Sequence, residues 1–376
     1  MKIGTITYHR ALNYGSVLQT YALNKYLRLL GHQVETIDFA TTQQAGMYKK
    51  YRPIKFNYGV VIGLLRNVYS FIYSSQFDCK NKRFDDFIRD FIPLSDFRAK
   101  DSDDLREFVK SSHYDMYFCG SDQIWNTNCG DFSSAYLLDF VDDKSRCCAY
   151  APSIGVTKLN VESENLFKQY LSEYKKISVR EKNSSKYLEK IIGRSVDTVL
   201  DPVFLLEKDE WNKIALPVDV GEKFVLGYFI GDVVGMRKYS QILAKHFNGK
   251  VVVINQNLRD LCFCGKCVQY SAGPREFIWL IKNSSIVCTN SFHAVAFSLI
   301  FNKNFFVFID GNARNEDKPQ QRIYNITELV GLESQIIDQT ICGKIDMDQQ
   351  INWKNVNDKL HFAIEESKNY INDCLQ

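Results

Sequence analysis

The sequence predicts an α/β protein of two domains, each built on a parallel sheet. Short apolar segments alternate with segments of helical periodicity, first from residue 3 to residue 201 and again from residue 223 to residue 310. A helix that joins two short apolar strands is typical of a parallel sheet. The 376 residues also exceed the roughly 250 to 300 at which a single hydrophobic core stops growing.

The first series opens with a strand, a helix and a second strand. The helix is expected to take Ser16 as its N-cap and to stop at Gly31, because both residue types favour those positions. Residues 40–113 are harder to recognise and are interpreted as a variable insertion. The strands predicted for this series cover residues 3–8, 33–39, 114–120, 176–180 and 196–201, and a second helix follows residue 180.

A connection that contains Pro and Gly but no apolar period, residues 215–223, separates the two series. The second series is predicted to contain strands at 223–230, 250–256, 285–290 and 304–310, and helices at 236–249 and 273–284. We therefore expect an N-terminal domain over residues 1–214, a C-terminal domain over 215–350, and a final amphipathic helix over 351–376 that could cross back onto the first domain.

Charge and motifs exclude several classes of protein. The net charge is +3 with basic and acidic residues intermixed, so no nucleic-acid partner is expected. The opening MKIGTITYHR lacks the features of a secretory signal, and a cytoplasmic location is expected. The motifs GxGxxG, GxxxxGKS/T, GxSxG and HExxH do not occur, so dinucleotide, P-loop, hydrolase and zinc-protease chemistry have no support.

Two stretches stay open to a second interpretation. The cluster Cys262, Cys264 and Cys267 favours free thiols over zinc, because no fourth ligand follows at a suitable spacing, and no metal is expected. Residues 48–73 carry five basic side chains beside a short apolar and aromatic run. This run is shorter than the ~20 residues that a membrane-spanning helix needs. We interpret it as a helix packed on the domain with a basic face, with peripheral membrane contact as the alternative.

Polar and titratable residues collect just after the predicted strands, where open α/β sheets bind ligands. Several have structural alternatives: Ser16 and Asp122 as helix caps, Asp201 before Pro202 as a turn residue, and His293 as a buried core histidine. The residues in these positions are Asn13, Tyr14, Gly15, Ser16, Gly120, Ser121, Asp122, Gln123, Arg180, Asp201, Asn290, Ser291 and His293.

Six segments together resemble the polysaccharide pyruvyl transferase family. They are NYGSVLQTYAL, FCGSDQIWN, ISVREKNS, VLDPVFLL, GPREFIWLIKNS and TNSFHAVAFSLIFNKNFFVF. The resemblance implies two Rossmann-like domains in a glycosyltransferase-B-like arrangement. It also implies transfer of the enolpyruvyl unit of phosphoenolpyruvate to a hexose of a surface polysaccharide or its lipid-linked precursor. The product would be a pyruvate ketal, such as the 4,6-linked ketal of galactose, and no cofactor beyond this donor substrate is implied.

The resemblance also assigns roles to residues. His293 matches the family's catalytic histidine, Arg180 the arginine expected to bind the donor's anion, and Arg322 an arginine of a later segment. Some members have an arginine where this chain has Ser291, so Arg180, Arg322, Arg314 or Lys303 would supply that charge. The other roles come from positions after strands and from the chemistry rather than from the family. We expect Asn290 and Ser291 to bind the donor, Asp122 or Asp201 to act as the base for an acceptor hydroxyl, and Asn13, Tyr14, Ser121 and Gln123 to bind the acceptor.

Two other functions fit the same predicted fold. One is a nucleotide-sugar-dependent glycosyltransferase of polysaccharide biosynthesis, because fold does not fix function. The other is a catalytically silent glycan-binding protein. A glycan or lipid-linked oligosaccharide is the expected partner in the leading hypothesis, and such an acceptor would place the chain at the inner face of the cytoplasmic membrane.

Overall fold

The computed structural model describes residues 1–47, 67–68, 71–72, 74–230, 234–254, 267–309, 321–338 and 346–376. Its N-terminal sheet consists of seven strands: β1 (Lys2–Ile6), β2 (Gln33–Phe39), β3 (Leu94–Ala99), β4 (Met116–Cys119), β5 (Cys147–Ala149), β6 (Lys176–Val179) and β7 (Asp197–Thr198). All are parallel, in the order β3-β2-β1-β4-β5-β6-β7. The order reverses beside β1, which opens a crevice at the carboxyl ends of β1 and β4.

The second sheet consists of six parallel strands: β8 (Phe224–Tyr228), β9 (Lys250–Ile254), β10 (Cys267–Tyr270), β11 (Ile286–Thr289), β12 (Phe305–Ile309) and β13 (Ile336–Asp338). Their order is β10-β9-β8-β11-β12-β13. Every residue of β8 and β12 is buried, as in parallel sheets covered on both faces. The predicted α/β class with two parallel sheets is confirmed.

Helices cover both sheets. In the N-terminal part they are α1 (Tyr14–Leu29), α2 (Thr42–Met47), α3 (Ser74–Phe91), α4 (Ser102–Ser112), α5 (Val161–Leu171), α6 (Lys182–Ile192) and α7 (Lys208–Ile214). They continue with α8 (Val234–His246), α9 (Pro274–Asn283), α10 (Phe292–Ile300), α11 (Gln321–Val330) and α12 (Trp353–Leu375).

An aromatic cluster joins the start of α1 to the second sheet. The ring of Tyr14 stacks on Phe277 with centroids 4.6 Å apart and meets Tyr228 edge-on at 5.4 Å. Its hydroxyl donates to the Ala272 carbonyl at 2.6 Å. Because these contacts are buried, they fix the N-terminus of α1 against the C-terminal part of the chain.

The final helix, α12, contacts both parts of the chain. It packs against α11 of the C-terminal part. On the other side, Tyr370 donates from its hydroxyl to the Ala149 carbonyl at 2.8 Å, and the Leu200 amide donates to the Ser367 hydroxyl at 2.9 Å.

Several sequence predictions need correction. Ser16 is not the N-cap of α1, because the helix begins at Tyr14 and the Asn13 side chain accepts from the Gly15 amide at 2.9 Å. The predicted strand at 196–201 shortens to β7, since Asp201 already belongs to the next turn. No prediction covered β3, β5, β10, β13, α2, α3, α4, α5, α7 or α11. Gly31, the predicted stop of α1, follows the helix with a φ of +90°.

Some predictions fall outside the described residues. Most of the basic stretch 48–73 does, and so do Cys262, Cys264 and Arg314. Among the described helices, none is both long and apolar enough to cross a membrane.

Candidate active site

Asp201 lies at the centre of the candidate site. It is fully buried at the start of a 3-10 turn, Pro202–Leu205, that follows β7. Its Oδ2 accepts from the Ser121 hydroxyl at 3.0 Å and from Arg180 Nη1 at 2.7 Å, and it lies 3.4 Å from His293 Nε2. Oδ1 accepts from the Val203 amide at 3.2 Å. The carboxylate therefore joins the ends of β4, β6 and β7 to the start of α10.

The charges around Asp201 keep it ionised. Burial alone would raise its pKa, but His293 and Arg180 lower it well below the usual range. Burial would also lower the pKa of Arg180, but Glu181 and Asp201 raise it above the ordinary value. The pair therefore carries both charges in the protein interior.

His293 lies against the first turn of α1. It is the second residue of α10, and its side chain is 9% exposed. A β-carbon on Gly15 would approach His293 Nδ1 to 2.0 Å. Only glycine at this position leaves room for the imidazole ring. The ring thus lies between Gly15 and the Asp201 carboxylate, and at 3.4 Å from that carboxylate Nε2 makes no hydrogen bond among the described residues.

Asp122 holds the same helix from another direction. Its Oδ2 accepts from the Ser16 hydroxyl, and its Oδ1 accepts from the Gln123 amide at 2.9 Å. No helix begins after Asp122 in the part of the chain that the structure describes, so it is not a helix cap, and neither is Ser16. Asp122 has a φ of +74°, an unusual conformation for a residue with a side chain.

Two arginines flank Phe292. The guanidinium of Arg180 is centred 4.8 Å from the ring centroid and that of Arg322 is 6.0 Å away. Arg180 Nη2 and Arg322 Nε are buried without a hydrogen-bond partner among the described residues. Burial and the charge of Arg180 lower the pKa of Arg322. Two cationic side chains with unused donors are therefore close together beside Asp201.

A cavity of about 490 Å³ opens beside these arginines. It lies between β7, α10, α11 and α12, and Lys182 adds a third basic side chain to its wall. His293 is not part of the wall, but its neighbours Asp201 and Phe292 are. The cavity therefore approaches the His293–Asp201 pair from the side of the final helix.

The family model for polysaccharide pyruvyl transferase matches residues 13–312. The chain belongs to the polysaccharide pyruvyl transferase family. The matched region contains Gly15, Asp122, Arg180, Asp201 and His293. The resemblance carried by the six sequence segments is thereby confirmed, and with it a role in polysaccharide pyruvylation.

Solved structures of similar fold are much more distant. UDP-GlcNAc 2-epimerase from Neisseria meningitidis bound to UDP-GlcNAc is 12% identical, with coverage of 97% of this chain and 99% of that chain and a TM-score of 0.50. UDP-N-acetylglucosamine 2-epimerase from Rickettsia bellii is 10% identical, with coverage of 99% and 96% and a TM-score of 0.50. No curated protein sequence gives a significant match. At these identities the likeness concerns the fold alone, and it confirms the glycosyltransferase-B-like arrangement.

The structure of this pyruvyl transferase family member brings together Asp122, Arg180, Asp201, His293 and Arg322. It does not place Tyr14 and Ser121 where they could contact an acceptor. The Tyr14 ring is buried in the aromatic cluster, and the fully buried Ser121 donates to Asp201. Asn13 and Gln123 keep partly exposed side chains near the start of α1.

The two residues predicted beside His293 to bind the donor, Asn290 and Ser291, occupy structural positions. Asn290 accepts from the Ile230 amide at 2.8 Å and donates to the Ile230 carbonyl at 2.7 Å, so it fixes the chain just after β8. Ser291 is buried as the N-cap residue of α10, without a side-chain cap. Burial, followed by the nearby charges of Lys208 and Lys282, lowers the pKa of Lys303, and Lys303 does not line the cavity beside Arg180.

Sequence reasoning missed the contact between Gly15 and His293 and the central position of Asp201. The signal for Asp201 was present, since it follows a strand and precedes Pro202 in the matched segment VLDPVFLL. Nothing in the sequence pairs Gly15 with His293, because the two residues belong to different domains of the predicted organisation.

Proposed function

We propose that the chain transfers the enolpyruvyl unit of phosphoenolpyruvate to a hexose of a surface polysaccharide or of its lipid-linked precursor. The product is a pyruvate ketal, 4,6-linked when the hexose is galactose, and phosphate is released. The observation that carries this proposal is that Arg180 and Arg322 lie beside His293 and Asp201, and that each has a buried N–H donor without a hydrogen-bond partner among the described residues.

The donor explains the need for two arginines. Phosphoenolpyruvate carries a phosphate and a carboxylate, and guanidinium groups bind either in a bidentate manner. Arg180 already neutralises Asp201 through Nη1, but its Nη2 is available. Some family members have an arginine at the position of Ser291, and in this chain Arg322 provides that second positive charge. Asn290 and Ser291 then support the donor site by positioning the start of α10.

His293 acts as the proton donor in this scheme. It protonates the methylene carbon of the donor, and the first sugar hydroxyl adds to the adjacent carbon. Phosphate then leaves that carbon and the second hydroxyl takes its place. Two hydroxyl protons are lost in all: one balances the proton gained by the methyl group, and the other leaves with phosphate. The Asp201 carboxylate faces the imidazole at 3.4 Å and fixes the side from which the donor approaches it.

Asp122 is better suited than Asp201 to accept the acceptor's proton. Asp201 Oδ2 already faces three groups and its Oδ1 faces an amide. Within the described part of the chain, Asp122 Oδ2 accepts from Ser16 and Oδ1 from the Gln123 amide, so lone pairs remain for a sugar hydroxyl. Gln123 follows Asp122 in the sequence, and Asn13 caps the helix whose Ser16 donates to Asp122. These two side chains complete the proposed binding site for the acceptor sugar.

The location follows from the acceptor. A lipid-linked precursor would bring the chain to the inner face of the cytoplasmic membrane, and the basic stretch 48–73 would supply electrostatic contact that is lost at high salt.

The test is phosphate release from phosphoenolpyruvate in the presence of a panel of galactosides and lipid-linked glycans. Wild type should release phosphate, and the glycan should gain the mass of pyruvate less water. His293→Gln should lower the rate by about 10²- to 10⁴-fold. Arg322→Ala should raise the KM for phosphoenolpyruvate by about tenfold or more, because a charged hydrogen bond is lost.

Exposed Arg106→Ala, far from the site on α4, serves as the control for Arg322 and should leave the KM unchanged. Extension of the glycan by a sugar from a UDP- or GDP-sugar, with phosphoenolpyruvate inert, would instead identify a glycosyltransferase. Glycan binding that is unaffected by His293→Gln, with no phosphate release, would identify a silent binding protein.

A further inference from the structure

We propose that a second cavity, at the carboxyl edge of the N-terminal sheet, binds an uncharged sugar residue of the acceptor glycan next to the sugar that reacts. This inference rests on the proposed function, because it adds a binding subsite for the same acceptor. The cavity has a volume of about 290 Å³ and is separate from the one beside Arg180.

The cavity lies where this fold binds ligands. Arg10 and Leu12 follow β1, Ala40 follows β2 directly, and Arg98 belongs to the end of β3. These three neighbouring strands end at the same edge of the sheet. Ligands of open parallel sheets bind outside the carboxyl ends of the strands.

Two helices close the other side. Asn81, Asp85 and Ile88 line the cavity from α3, and their spacing places them on one face of that helix. Gln44 adds an amide from α2. The wall thus combines amides and charges with the apolar side chains of Leu12, Ala40 and Ile88, which suit the hydroxyl and C–H surfaces of a sugar ring.

Two polar atoms of this wall find no hydrogen-bond partner among the residues that the structure describes. Gln44 is 2% exposed, and its Nε2 is buried without a hydrogen bond. Asn81 Oδ1 is also buried without one. Buried polar groups are normally satisfied, so an unmatched donor and an unmatched acceptor in one cavity point to a missing ligand. A sugar hydroxyl can accept from the first and donate to the second.

The charges of the cavity favour an uncharged ligand. Arg10 is already paired with Asp38, whose Oδ1 lies 2.6 Å from Arg10 Nε and 3.0 Å from His9 Nε2. Of the remaining ionic side chains in the wall, exposed Arg98 is positive and exposed Asp85 is negative. The positive charges of Arg10 and Arg98 are thus balanced by the negative charges of Asp38 and Asp85. The cavity therefore has no excess positive charge that would favour an anion.

The cavity is within reach of the reacting centre. Leu12 is three residues before Gly15, which packs so closely against the His293 ring that a β-carbon there would lie 2.0 Å from Nδ1. Three residues of chain span at most roughly 11 Å. A glycan with its reacting sugar at His293 can therefore place its neighbouring sugar in the cavity.

The experiment measures glycan binding without phosphoenolpyruvate, so that it does not depend on catalysis. Saturation-transfer NMR would compare mono-, di- and trisaccharides of galactose, glucose, mannose and their N-acetyl derivatives. Wild type should bind at least one di- or trisaccharide more tightly than the corresponding monosaccharide. Asn81→Ala and Gln44→Ala should each weaken that binding by about three- to tenfold and leave the monosaccharide unaffected.

Gln43→Ala is the matched control, because Gln43 is the exposed neighbour of Gln44 and does not line the cavity. Asn81 is only partly buried, so its variant remains informative if Gln44→Ala fails to fold. Equal binding by wild type and Asn81→Ala for every sugar, including no binding at all, would overturn the subsite. Binding that depends on Asn81 while phosphoenolpyruvate stays inert would support the subsite and contradict only the proposed reaction.

Discussion

At the scale of single residues, the site depends on contacts between parts of the chain that are far apart in sequence. His293 and Arg180 were predicted from the sequence because they follow strands and match family motifs. Asp201 and Gly15 were also placed after predicted strands, but their contacts with His293 were not predicted. The close packing of an imidazole on a glycine leaves no periodic signal in either segment.

This packing makes Gly15 sensitive to substitution. Gly15→Ala would place a methyl group 2.0 Å from His293 Nδ1, so the imidazole has to move. We expect kcat to fall by about 10²-fold, because displacements of about 1 Å have effects of that size. Overpacking should lower the free energy of unfolding by only about 1–3 kcal/mol.

Gly235→Ala is the control, because Gly235 also lies near the start of a helix and a β-carbon there meets nothing within 4 Å. Steady-state kinetics and urea unfolding of both variants provide the measurement. Normal activity of Gly15→Ala would show that the position of the imidazole is unimportant.

Asp201 predicts a specific dependence of stability on pH. Its pKa in the folded protein is lower than the value of about 3.9 in an unfolded chain. The ionised carboxylate therefore stabilises the fold above about pH 4, and this contribution is lost as the pH falls toward the folded pKa. The free energy of unfolding of wild type should decrease between about pH 5 and pH 3 more steeply than that of Asp201→Asn.

Denaturant unfolding at several pH values measures this slope. Exposed Asp219→Asn should keep the wild-type slope. Some decrease should also remain in Asp201→Asn, because Arg10 and His9 lower the pKa of buried Asp38 in the same manner despite the opposing effect of burial. Identical slopes for wild type and Asp201→Asn would contradict the assigned ion pair.

At the scale of helices and strands, the sequence was informative wherever a strand is apolar throughout. The strands β8 and β12 are buried along their whole length and were recognised as short apolar runs. By contrast, β3 has the sequence LSDFRA with three consecutive exposed residues, and β5 and β13 have only three residues each. Such strands are defined by pairing with a neighbour rather than by their own pattern.

The helix α12 gives a prediction about stability. Tyr370 is buried, and its hydroxyl donates to the Ala149 carbonyl of the first sheet. Tyr370→Phe leaves that carbonyl without this donor and should lower the free energy of unfolding by about 1–2 kcal/mol. Tyr170→Phe on α5 is the control, because Tyr170 is only partly buried. Equal stability of the two variants in urea would mean that the Tyr370 hydrogen bond does not help to hold α12.

At the scale of the whole molecule, the two α/β series and the family were predictable from the sequence. The contacts that join the two halves of the chain were not. The residues that join the halves belong to segments with separate local patterns: Tyr14 in α1, Phe277 in α9 and Tyr370 in α12. Their pairing depends on the packing of complete domains. The same packing brings Gly15 to His293, so the candidate site exists only in the assembled molecule.

The most direct test of the central claim follows the carbon skeleton of the donor. Phosphoenolpyruvate labelled with ¹³C at the phosphate-bearing carbon would be incubated with wild type and the glycan panel, and the purified glycan examined by ¹³C NMR. We expect a labelled ketal carbon bonded to two sugar oxygens, formed together with phosphate and absent with His293→Gln. Unlabelled glycan across the panel, or label found only in free pyruvate, would contradict it.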